Sequence, residues 1–175
     1  MVDLALKNPL DAGIPSTDAN AVEMCLAVAN DPQVDILAWA QVLPTGKRPL
    51  NAEVLKALFE AGGSVVDSSP MYGRAEGVVG DLLAESGERT KAFIATKVWT
   101  SGKEQGIAQM QQSMKLLRAN PLDLMQIHNL LDWQAHLPTL RTWKKDGRLR
   151  YIGVTHYTES AHDSLLAIVQ RETLD

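Results

Sequence analysis

The chain has 175 residues, 45% of them apolar and 22% charged, with 17 Lys+Arg against 21 Asp+Glu and a formal charge of −4. This composition excludes wholesale disorder, and its mild acidity argues against non-specific nucleic-acid binding, which needs clustered cations. No apolar run approaches the roughly 18 residues that cross a bilayer, and a single cysteine, Cys25, excludes an internal disulfide framework or a cysteine-rich metal site. Met1–Lys7 lacks the basic start and long apolar stretch of a signal peptide. The expectation is one domain over 1–175, in a reducing cytoplasm, with no metal, nucleic-acid or membrane partner. In chain order, Asp18–Ala29 places Val22, Cys25, Leu26 and Ala29 on one helical face, and Asn30-Asp-Pro32 stops it. The short apolar run Val34–Ala40 reads as a buried strand, and Pro44–Pro49 as a loop or junction. Asn51 caps a helix carrying Val54, Leu55, Leu58 and Phe59, closed by Gly62-Gly63.

A regular rhythm follows. Strands are expected at Ser64–Asp67, Lys91–Val98, Leu122–Ile127 and Arg150–Val154. Each is followed by a helix: about Ala75–Ser86, then one with Ile107, Met110, Met114 and Leu117, then His136–Lys145, then one with Leu165, Leu166 and Val169. Five strands alternating with helices imply an α/β fold with a parallel sheet. Two architectures fit: a flavodoxin-like sandwich, or half of a (β/α)8 barrel, whose closed form takes about 250 residues. Cys25, Met110 and Met114 read as core, His136 and His162 as surface, and Gly77 and Gly80 as a close approach of one helix to the sheet.

Parallel α/β sheets gather chemistry at the carboxyl ends of their strands. The polar residues there are Asp67-Ser68-Ser69, Lys97, His128-Asn129 and Thr155-His156, with Tyr72 in the loop Pro70–Gly73. A phenol with an ordinary pKa of about 10 is a poor acid near neutrality, and a neighbouring ammonium favours its phenolate. An aspartate keeps such a lysine charged and oriented, and a histidine can align a carbonyl or relay a proton. Asp67, Tyr72, Lys97 and His128 therefore suit protonation of a carbonyl oxygen while a cofactor supplies hydride to carbon. Taken singly, each has a plainer reading: Asp67 as a turn former, Lys97 as a solvated strand end, His128 as a core-edge histidine and Tyr72 as a loop anchor.

Val66-Asp-Ser-Ser-Pro-Met-Tyr-Gly73 with Glu76 and Gly80, Ala95-Thr-Lys-Val-Trp99, Leu122-Asp-Leu-Met-Gln-Ile-His128 and Gly147-Arg-Leu-Arg-Tyr-Ile-Gly-Val154 together resemble an aldo-keto reductase over residues 50–175. The resemblance implies a (β/α)8 barrel using NADPH to reduce aldehydes and ketones. It makes Tyr72 the general acid, Lys97 and Asp67 its tuning pair, and His128 the substrate-orienting residue. Thr155 and His156 stand where the family has the Ser-Asn that contacts the nicotinamide amide, and Trp99 would line the substrate pocket. The family's last three strands, with the glutamine and aromatic that hold the nicotinamide, would follow Asp175.

Upstream, Asn8-Pro-Leu-Asp11, the Asp18–Ala29 helix and Asn30–Leu37 resemble part of the flavodoxin-like subdomain of an NDP-forming acyl-CoA synthetase, so residues 1–45 read as a segment of different origin. The leading expectation is a chimeric or truncated α/β chain, natural or engineered, derived from an aldo-keto reductase and without full catalytic activity. The alternative is NADP(H)-dependent reduction of a small carbonyl substrate with Tyr72 as acid, and a third reading is a CoA- or nucleotide-binding remnant. A half barrel would leave apolar inner positions and two sheet edges exposed, which leads to an expected homodimer.

Overall fold

The computed structural model describes Ala38–Trp39 and residues 48–175. The Asp18–Ala29 helix, Cys25, most of the Val34–Ala40 strand, the start of the junction and the synthetase-like segment lie outside the described residues. In chain order the elements are β1 (Ala38–Trp39), α1 (Arg48–Glu60), β2 (Val65–Asp67), α2 (Ala75–Ser86), β3 (Phe93–Val98), α3 (Lys103–Leu116), β4 (Leu122–His128), α4 (Trp133–Lys145), β5 (Leu149–Thr155) and α5 (His162–Arg171). Short 3₁₀ turns precede β3 and α5, at Arg89–Lys91 and Glu159–Ala161. The strand–helix rhythm read from the sequence is borne out. Several boundaries differ by a few residues, those of α1 and β3 among them. Helix α1 starts at Arg48 rather than at Asn51, with Pro49 in its first turn, where a missing N–H costs nothing. The run from Lys91 begins as a 3₁₀ turn, and the strand proper starts at Phe93.

The sheet order is β1-β2-β3-β4-β5, every neighbouring pair parallel. A flavodoxin-like sheet would reverse its order at a switch point; this one does not, and the sequential order is that of part of a (β/α)8 barrel. Helices α2, α3 and α4 touch in succession, α3 lies against β3 and α4 against β4 and β5, so they form one layer on one face. The residues aimed at that layer by strand alternation, Val66, Ile94, Val98, Met125, Ile127 and Ile152, are buried and belong to the core with Met110, Met114, Leu137 and Leu140. On the other face Val65, Phe93, Leu124, Gln126 and Gly153 are only half-buried, and Tyr151 is 39% exposed.

Two further expectations need correction. Gly80 approaches a helix rather than the sheet: a side chain there would collide with the Leu116 carbonyl oxygen and lie 2.9 Å from the Leu117 carbonyl carbon, at the end of α3. His136 is buried rather than on the surface, its Nε2–H donating to the Thr100 carbonyl at 2.7 Å and its ring seated on Gly106. His162 is exposed as expected. Among the described residues no helix is long and apolar enough to cross a membrane, and no cluster of His, Cys, Asp or Glu could hold a metal ion.

Candidate active site

The register places the site residues as a rising diagonal across the inner face. Asp67 lies level with Ala95, Lys97 is two residues further along and level with Gln126, and His128 is two further again and level with Thr155. Each step is about 6–7 Å at the usual strand rise, and the shared parity turns all of these side chains to the same side. Asp67 and Lys97 are thereby sunk in the sheet, while His128 and Thr155 stand at its rim.

At the bottom, Lys97 Nζ donates to Asp67 Oδ2 at 2.5 Å and to the Ser68 carbonyl at 2.8 Å. Lys97 is 1% exposed and Asp67 4%, so this is a fully interior ion pair. Burial pushes the Lys97 ammonium down and the Asp67 carboxyl up, and the charge of each partner opposes the change in the other. A buried pair of this kind contributes little net stability, because desolvation consumes most of its Coulomb energy. The solvated-strand-end reading of Lys97 is therefore excluded.

Above the pair, the β2–α2 loop returns Tyr72 over Lys97. The Tyr72 N–H donates to the Ser69 carbonyl and the Ala75 N–H to the Tyr72 carbonyl, so the loop is a tight run of turns into α2. Lys97 Nζ lies 5.3 Å from the centroid of the half-buried Tyr72 ring. The His128 ring stands edge-on to Tyr72 at 6.4 Å, and the ring of Trp99, 41% exposed, lies 6.3 Å from that of His128 at a tilt of 49°. Desolvation, then the charges of Lys97 and His156, hold His128 down to about 4. It is a neutral imidazole near pH 7, so it can orient a carbonyl by a hydrogen bond but brings no spare proton.

All four predicted catalytic residues therefore meet, with Trp99 beside them. Thr155 is paired in register with His128. His156 is one residue beyond, stacked on the 80% exposed Tyr157 at 5.6 Å rather than on the tetrad. Its Nδ1 accepts the Thr158 N–H at 3.2 Å and lies 3.1 Å from the Thr158 hydroxyl.

Sequence reasoning missed the residues that hold these groups. Ser69, fully buried, bonds His128 Nδ1 at 3.2 Å; its place two residues after Asp67, on the same face, was the available signal. Glu76, at the start of α2, accepts from the Thr96 hydroxyl at 2.6 Å and the Ser113 hydroxyl at 3.1 Å. It ties the helix that follows Tyr72 to the strand residue beside Lys97, and burial pushes its carboxyl up. The loop bearing Trp99 is clamped by Gln109, which accepts the Trp99 N–H at 2.6 Å and donates to its carbonyl at 3.1 Å. Asp132 then fixes Gly102 at 2.7 Å.

Residues 45–170 match the model of the aldo/keto reductase family. Among curated proteins, the chain is 30% identical over 128 residues to methylglyoxal reductase DkgB of Salmonella typhimurium, covering 69% of this chain and 48% of that protein. It is 33% identical over 131 residues to methylglyoxal reductase YeaE of Escherichia coli, covering 71% of this chain and 45% of that protein. The chain thus spans about half the length of the curated relatives it matches. An aldo/keto reductase from Brucella melitensis superposes with a TM-score of 0.62 at 24% identity, over 79% of this chain and 55% of that one. An aldo-keto reductase from Klebsiella pneumoniae in complex with NADPH superposes with a TM-score of 0.62 at 23% identity, over 76% of this chain and 48% of that one. These two likenesses establish the shared fold.

Proposed function

Because the chain belongs to the aldo/keto reductase family, we propose that its strand-end cluster is the proton-delivering part of an NADPH-dependent carbonyl reductase, acting on small aldehydes or ketones. The observation that carries this reading is the interior Asp67–Lys97 pair held beneath Tyr72. An ion pair so costly to bury is explained by chemistry better than by stability. A nicotinamide cofactor, when bound, supplies the hydride that reaches the carbonyl carbon.

The chain's own residues do the rest. His128, neutral, donates a hydrogen bond that fixes the carbonyl oxygen beside Tyr72. Tyr72 gives its phenolic proton to that oxygen as negative charge grows there. The Lys97 ammonium favours the phenolate left behind, and Asp67 keeps the ammonium charged and aimed. Trp99 walls the substrate side. By position, Thr155, level with His128, and His156 would hold the carboxamide of a nicotinamide; Thr158 occupies the His156 Nδ1, which leaves its Nε2–H as the donor for an amide oxygen.

One observation favours limited turnover by this chain as it stands. Phe93, Leu124 and Gln126, on the same sheet face as the buried site groups, are half-buried and Tyr151 is exposed, and water beside a site weakens the electrostatic interactions that stabilise charge there. The substrate to try is methylglyoxal, after which two of the relatives are named. Mixed with NADPH, the protein is expected to consume the cofactor slowly, saturably and only when the aldehyde is present. Cofactor loss that does not depend on the aldehyde, or no loss at all, would overturn the proposal.

A further inference from the structure

We infer that Ser69 is a positioning residue that selects the tautomer of His128, so that the imidazole presents its Nε2–H, as a donor, to the carbonyl oxygen. Ser69 is fully buried, and its hydroxyl makes two contacts: its oxygen accepts the Met71 N–H at 3.3 Å, and it lies 3.2 Å from His128 Nδ1. A neutral imidazole has one donor nitrogen and one acceptor nitrogen, and its partners decide which is which. If Nδ1 carried the hydrogen, Ser69 would accept twice, and its own hydrogen would have no acceptor among the described residues. A buried hydroxyl that donates nothing is costly. If Nδ1 is bare, the hydroxyl donates to it and both groups are satisfied. The hydrogen then sits on Nε2, the nitrogen across the ring from Ser69.

A polar relay results, from the Met71 N–H to Ser69 Oγ and from the Ser69 O–H to His128 Nδ1. It starts one residue before Tyr72, in the same tight loop. The loop that aims the acid therefore also sets the hydrogen-bonding polarity of the histidine beside it. A substrate carbonyl can only accept, so the opposite tautomer would face it with a lone pair. The functional consequence rests on the carbonyl-reduction reading, but the tautomer belongs to the free protein.

The test is ¹⁵N NMR of histidine-labelled protein at about pH 7, without cofactor or substrate and far above the His128 value of about 4. The His128 signals are assigned among the four histidines from the spectrum of His128→Gln. The wild type is expected to show a bare Nδ1 and a protonated Nε2. In Ser69→Ala the ratio of that tautomer to the other is expected to fall roughly tenfold or more, while Ser69→Thr, which keeps the hydroxyl, holds the wild-type ratio. A protonated Nδ1 in the wild type would overturn the assignment without any variant, as would an unchanged ratio in Ser69→Ala. Absence of turnover alongside the expected tautomers would defeat the reductase reading and leave the role of Ser69 in place.

Discussion

Lys97 is the residue on which the site turns. Its ammonium is 1% exposed, and Asp67 answers it at 2.5 Å. Lys97→Met strands a carboxyl in the interior and is expected to destabilise the fold by about 3–5 kcal/mol, read from the urea midpoint. Adding Asp67→Asn to that variant should recover much of the loss, because the stranded charge is gone; a double variant no more stable than Lys97→Met would contradict the pairing. His128 gives a second expectation. Below pH 6.5 its imidazole takes a proton in the unfolded chain, whereas the folded one holds out to about 4. The unfolded state then binds more protons, so this contribution to stability falls as pH drops from 6.5 toward 4. Urea midpoints measured across that window should fall less in His128→Gln than in the wild type; parallel curves would contradict it. The four catalytic candidates were legible because strand ends and a family motif name them. Ser69 and Glu76 were not assigned roles, because a serine after an aspartate and a glutamate in a first helical turn are ordinary at those places. Only the fold shows that one meets a histidine and the other joins two elements.

At the scale of elements, α2 and α3 are joined without a side chain between them at Gly80. A methyl group there would press into the Leu116 carbonyl and lie 2.9 Å from the Leu117 backbone, atoms that cannot move without disturbing the end of α3. Gly80→Ala is expected to cost about 1–3 kcal/mol through overpacking. At Gly77, one turn earlier, the nearest atom is Leu116 Cδ2 at 3.7 Å, an ordinary contact. Gly77→Ala should therefore gain up to about 1 kcal/mol from helix propensity. Thermal melts of the two variants moving in the same direction would contradict this difference. The sequence marked both glycines as close approaches but aimed them at the sheet, since periodicity gives a helix its faces without saying which neighbour each face meets. His136 was misplaced for the same reason: its helix position looked peripheral, and only the return of the β3–α3 loop covers it with Thr100. Strand identities came through well, because continuous apolar runs such as Leu122–Ile127 sit between helix stops and turn signals.

For the whole molecule, the described residues form a sequential open sheet with one helix layer, its edges at β1 and β5. We propose, as the exposed edges of a half barrel led us to expect, that two copies of the chain pair through those sheet edges. Light scattering is expected to give twice the 19.1 kDa chain mass, and the single-chain mass would contradict the pairing. The choice between sandwich and half barrel was out of reach of the sequence, because both are built from the same βα units and differ only in strand order. The site itself does not depend on that choice, since each of its residues stands at the carboxyl end of a parallel strand or in the loop after one. Delivery of the proton by Tyr72 is measured directly by methylglyoxal-dependent NADPH consumption by the wild type and by Tyr72→Phe, with NADPH binding followed separately by tryptophan fluorescence. Unchanged cofactor binding and a rate lower by roughly 10²–10⁴-fold are expected in the variant; a variant that binds NADPH and keeps the wild-type rate would contradict that role of Tyr72.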